Sequence, residues 1–100
     1  MHRRRGSKKK AQEIHFRRRM AQRHDLAVTP ADVLFIIHQI QCGQAVHIWD
    51  QSNRVKIKGI KLNGEWLVVI YDSIRKTLVT VLPKENEFYN ELTEKEIING

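Results

Sequence analysis

The chain is poor in several things that whole classes of proteins depend on. It has one cysteine, Cys42, so no internal disulfide can form, and a reduced, cytoplasmic setting is expected. Its apolar runs, Val33 to Ile37 among them, are far too short to cross a bilayer, and no membrane partner is expected. The opening residues are too polar for a secretory leader. Its five glycines are scattered and form no phosphate-cradling loop. Ser7 and Ser73 lack the flanking elbow of a nucleophilic serine. His15, His24, His38 and His47 show no recognised ligand spacing, so neither a metal nor another cofactor is expected.

What the chain does have is positive charge, concentrated at one end. Of the net +7, residues 1–25 hold ten Lys/Arg against Glu13 and Asp25, a net of +8. Residues 84–100 carry Lys84 and Lys95 against five glutamates, a net of −3. A basic end of this kind points to a polyanionic partner, RNA first and DNA second. A solvated basic arm explains the same charge without a partner.

One hundred residues make a single domain. Residues 1–10 lack apolar periodicity and read as a flexible basic arm, residues 11–83 as the domain, and residues 84–100 as an acidic tail with a possible short helix. Ile14, Phe16, Met20 and Ala21 recur at helical spacing, with His15, Arg18, Arg19 and Arg23 mostly on the other side. Thr29-Pro30-Ala31-Asp32 opens a second helix and Gly43 stops it. Because it is apolar nearly all round, that helix should be largely buried. After Gly43 the period becomes two, giving four strands: 45–50, 54–62, 65–72 and 76–83. Short links, among them Asn63-Gly64, make the sheet an antiparallel meander. The expected fold is α+β, with two N-terminal helices packed on a four-stranded antiparallel meander sheet.

On the second strand Arg54, Lys56 and Lys58 alternate with Val55 and Ile57, forming a row of cations suited to a phosphate backbone. A lysine-rich solvent face is the plainer reading. Trp49, Trp66 and Tyr71 could stack bases if exposed, although aromatics on strands more often fill cores. On the first helix, His15, Arg19 and Arg23 repeat every fourth residue, so an imidazole and two guanidiniums line one side. Metal-free phosphodiester cleavage needs this kind of set: a proton acceptor plus cations for the phosphate oxygens. Thr80 and Lys56 could face it from the sheet.

The run His15-x-x-x-Arg19-Met20-x-x-Arg23, followed by Leu26, Asp32-Val33 and the strand Thr77-Leu78-Val79-Thr80-Val81-Leu82, resembles a group of small bacterial and phage domains. These look related to the barnase, EndoU, colicin and RelE-like superfamily of metal-independent ribonucleases, many of them toxins. The resemblance spans about residues 15–83. It implies catalytic roles for His15, Arg19 and Thr80, with Arg23 and Lys56 as further candidates. Apart from the resemblance, the basic helix with Arg17, Arg18 and Arg23 and the row Arg54, Lys56 and Lys58 are expected to bind a nucleic-acid backbone, and a cognate inhibitor protein is a further expected partner. Two departures stand out: the extra Arg17 and Arg18, and the position of Thr80 on the same strand face as Leu78 and Leu82.

The expected function is therefore a nucleic-acid-binding protein, foremost a metal-independent endoribonuclease acting through the RNA 2′-hydroxyl. A non-catalytic RNA- or DNA-binding module, or a basic regulator of an acidic protein, are the competing expectations.

Overall fold

The computed structural model describes residues 4–92, with side chains from residue 10 onward. Its elements run α1 (Arg4–His24), α2 (Pro30–Gln41), β1 (Val46–Asp50), β2 (Val55–Leu62), β3 (Glu65–Asp72) and β4 (Thr77–Val81). The strands form one antiparallel sheet in sequence order, β1-β2-β3-β4, so the expected α+β meander is the fold. α1 begins at Arg4, inside the segment expected as an arm. Arg and Lys are good helix formers, and Gly6 costs only about 1 kcal/mol relative to Ala. The outer acidic tail, with Glu94 and Glu96, lies outside the described residues.

α2 starts as its sequence requires. Thr29 Oγ1 accepts from the Asp32 N–H at 3.1 Å, Asp32 Oδ2 accepts from the Thr29 N–H at 3.0 Å, and Pro30 occupies the first turn. At its end, Gly43 takes φ +79°, where a side chain would be strained, and its N–H bonds the Ile40 carbonyl. The expectation of all-round burial fails, however. Val33, Ile36 and Ile40 are buried, but Leu34 is 68% exposed and Phe35 45%. Only one side of α2 meets the sheet.

The Asn63-Gly64 turn takes positive φ at both residues, 51° and 83°, the hairpin geometry whose twist matches the strands. On the helix side of the sheet, Ile60, Leu62, Leu67, Val69, Leu78 and Val81 pack against Phe16, Met20, Val33 and Ile36. The opposite face holds a second apolar cluster of Ile48, Ile57, Val68 and Leu92, joined by Trp66, Phe88 and Tyr89. Residues 84–92, the inner part of the acidic tail, thus cover the far side of the sheet and do not fold over the helices. Leu92 sits on Gly59, where any side chain would collide with it. Burying that leucine contributes about 2 kcal/mol.

Tyr89 fastens this cover. Its hydroxyl donates to the Leu82 carbonyl at 2.7 Å and accepts from the Val68 N–H at 3.1 Å. Burial pushes its ionisation up to about 12. His24, buried at the end of α1, places Nε2 2.8 Å from the same carbonyl and 3.0 Å from the Tyr89 hydroxyl. The base of the basic helix and the tail cover are therefore tied at one point.

β4 departs from simple alternation. Ile70 pairs with Thr80 and Tyr71 with Leu78, so Val79 is an extra residue in a bulge. The bulge lets Leu78 and Val81 both face the helices. It also overturns the expected grouping of Thr80 with Leu78 and Leu82, since Leu78 belongs to the helix-side core and Leu82 to the far cluster. Thr80 is left half-buried beside α1.

Candidate nucleic-acid interface

An open groove of about 710 Å³ runs between α1 and β4. α1 contributes Gln12, His15, Arg19 and Arg23, β4 contributes Val79 and Thr80, and the β3–β4 turn adds Arg75. Successive members of the 15, 19, 23 series rise about 6 Å along the helix, near the spacing of phosphates along a single strand. The apolar back of the helix aims them. With Phe16 and Met20 fully buried against the sheet, residues 15, 19 and 23 must emerge on one flank.

Each cation is held differently. Arg19 Nε lies 3.3 Å from His15 Nε2, and its Nη1 lies 3.5 Å from Gln22 Oε1, both long contacts that a stronger acceptor would displace. In the Arg19–His15 contact the guanidinium donates and Nε2 of His15 is the acceptor. Arg23 donates Nη1–H to the Val81 carbonyl at 2.8 Å, which fixes it against β4. Arg75 rides on a rigid turn: the Asp72 carboxylate accepts the N–H groups of Ile74 and Arg75 at 3.0 and 2.9 Å and the Arg54 Nε–H at 2.9 Å. The hydrogen bond from Arg54 leads in holding the Asp72 carboxyl below the usual range, against its burial. Among the described residues three guanidiniums and no carboxylate line the groove, so it favours a bidentate anion such as phosphate.

Of the residues expected at the site, His15, Arg19, Arg23 and Thr80 come together here. Arg17 and Arg18 do not, for they lie on the other flank of α1 with Ile14, Ala27 and Val28. Arg17 donates to the Val28 carbonyl at 2.7 Å and meets Glu13 at 3.8 Å, so it braces the α1–α2 link. The β2 row stands apart from the groove and is largely paired. Arg54 is bound to Asp72 and Lys56 to Asp50 at 3.2 Å. Lys58 has its amine lowered by partial burial, which the neighbouring Asp50 opposes.

The aromatics divide as well. Tyr71 is core, Trp66 joins the far cluster with Lys61 5.7 Å from its ring, and Trp49 is 52% exposed, stacked on Phe88 at 6.0 Å. Arg75 and Gln12 went unnoticed in the sequence. Arg75 stood in a turn with no periodicity to give it a face, and Gln12 carries no chemistry of its own. Among the described residues no three His, Cys, Asp or Glu side chains gather as metal ligands, and no helix is long and apolar enough to cross a membrane.

No family model, curated protein or solved structure matches the chain.

Proposed function

We propose that the protein binds RNA along the α1–β4 groove and cleaves it without a metal ion. The observation that carries this reading is the convergence of one imidazole, three guanidiniums and Thr80, from elements some 60 residues apart in the chain, on one groove that no carboxylate of the described residues lines.

The chemistry follows from their arrangement. A phosphodiester entering the groove recruits the Arg19 guanidinium away from the imidazole and so frees His15 Nε2. That nitrogen takes the proton of the adjacent 2′-hydroxyl as its oxygen attacks phosphorus. The bond from phosphorus to the 5′-oxygen breaks, water in the open groove protonates the leaving oxygen, and a 2′,3′-cyclic phosphate remains. Arg19 and Arg75 stabilise the added charge on the non-bridging oxygens. Arg23 and Thr80 hold the phosphate against β4.

The second reading is a binding module that uses the same groove without cleavage. It is favoured by His15 being, among the described residues, the one lining side chain able both to take and to return a proton. An oligoribonucleotide carrying a single 2′-deoxy substitution separates the readings once its unmodified counterpart is shown to be cut. Cleavage should cease at the substituted step and continue elsewhere. Cutting at that step overturns the mechanism, and an unmodified strand that is bound but never cut leaves the binding module.

A further inference from the structure

Gln12 lines the groove but takes no part in the proton transfer or charge stabilisation described above. Its side chain is nonetheless fixed from across the chain. The hydroxyl of Thr77, buried on β4, donates to Gln12 Oε1 at 2.9 Å, bridging 65 residues of sequence. That bond decides which end of the carboxamide is available. With the oxygen taken, only the amino end, a pure donor, is left for a ligand in the groove. Gln12 stands three residues before His15 on the same groove-lining flank of α1, about 4.5 Å along the helix.

The groove is anchored at both ends, and the two ends differ. Gln12 with Thr77 joins α1 to β4 at one end, and Arg23 with the Val81 carbonyl, at 2.8 Å, joins them at the other. α1 and β4 therefore run in the same sense along the groove, from a neutral amide to a guanidinium. Between these ends the order His15 then Arg19 supplies a direction. In RNA the phosphate under attack always lies on the 3′ side of the ribose whose 2′-hydroxyl attacks it. With His15 on that hydroxyl and Arg19 on that phosphate, the ribose lies toward the N-terminal end of α1. Its own 5′-phosphate lies further the same way, where Gln12 is.

We infer that single-stranded RNA occupies the groove in one polarity, its 5′ end toward Gln12 and its 3′ end toward Arg23. Gln12 binds it by donating from Nε2 to the phosphate on the 5′ side of the nucleotide that is cut. This polarity rests on the cleavage reading, because His15 and Arg19 set the direction. A neutral donor suits the place: the phosphate it grips gains no charge during the reaction, whereas the guanidiniums of Arg19 and Arg75 meet the phosphate that does.

An oligoribonucleotide with one uncharged methylphosphonate linkage tests it. The nucleoside on the 5′ side of that linkage is 2′-deoxy, and the control strand has an ordinary phosphate there. Cleavage at every step is read on a gel in EDTA. In the wild type the neutral linkage should slow the cut one step to its 3′ side by about tenfold, the worth of one hydrogen bond to a charged group. Gln12→Glu keeps an oxygen for the Thr77 hydroxyl and loses only the amino group, so its circular dichroism should be unchanged. In Gln12→Glu and in Gln12→Ala that cut should be slow on the control strand and no slower with the neutral linkage. A neutral linkage felt alike by the wild type and both variants overturns the inference while leaving cleavage standing. So does an effect that depends on Gln12 at the step on the 5′ side of the linkage, which would reverse the polarity. RNA that the wild type never cuts removes the cleavage reading itself, and the polarity with it.

Discussion

Among its described side chains α1 buries Phe16 and Met20 and turns its arginines to the two flanks, whereas α2 carries no Lys or Arg and places apolar residues on both its buried and its exposed side. Both helices rest on the same sheet face, yet they leave different surfaces to solvent: a guanidinium-lined groove beside one, exposed Leu34 and Phe35 on the other. The difference shows how a small domain with one core can offer two kinds of contact. Phe16 and Met20 bury one side of α1 completely and so oblige His15, Arg19 and Arg23 to share a flank.

Not every arginine on α1 is equivalent, and the sharpest test of the contrast sets two of them against each other. Arg19→Ala should lower RNA cleavage by about 10²- to 10³-fold, the loss typical of a donor to a developing oxyanion. Arg17→Ala should leave cleavage nearly unchanged while costing about 1 kcal/mol in urea unfolding, because its partner is the Val28 carbonyl. Equal losses of cleavage in the two variants would mean that charge, not position, is what α1 supplies.

The turn that carries Arg75 is a separable part of the groove. Asp72→Ala removes the acceptor of the Arg54 side chain and of two backbone N–H groups and should cost about 2–3 kcal/mol of stability. The sign of its pH dependence follows from the lowered carboxyl. The stabilisation is complete above the ordinary Asp value of 3.8 and disappears as pH falls through the lower folded-state value. Acid unfolding of the wild type and of Asp72→Ala should therefore converge at the acid end. A gap that persists there would assign the stabilisation to something other than the carboxylate.

A smaller effect separates the groove from the β2 row. Arg75→Ala should reduce the salt dependence of RNA binding by about 0.7 in logarithmic slope, one contact to a single strand. Lys58→Ala should leave the slope where it was. The reverse result would move the RNA path from α1 onto the sheet.

Where the fold was legible in the sequence, local chemistry left no alternative. Thr29-Pro30 with Asp32 dictates a helix start, Asn63-Gly64 a hairpin, and the change of period at Gly43 the onset of strands. Of the site, the His15, Arg19, Arg23 series was legible because helical spacing alone puts it on one flank. What stayed hidden depended on partners distant in sequence. Thr80 lines the groove, but a bulge at Val79 breaks the strand parity that would set it on the face of Leu78. Lys56 is spoken for by Asp50 on the neighbouring strand. Arg75 owes its position to a carboxylate whose turn geometry no spacing rule reveals. The covering of the far sheet face by Leu92 and Tyr89 was likewise unreadable, since an acidic tail with two aromatics reads as solvent-exposed.

The most direct test of the central claim is a cleavage assay in EDTA, with wild type and His15→Ala incubated with end-labelled RNA and the product termini identified. The account predicts fragments ending in 2′,3′-cyclic phosphate from the wild type and about 10²- to 10⁴-fold less from His15→Ala, as expected for loss of a general base. Intact RNA with both proteins, or equal cleavage by both, would contradict it.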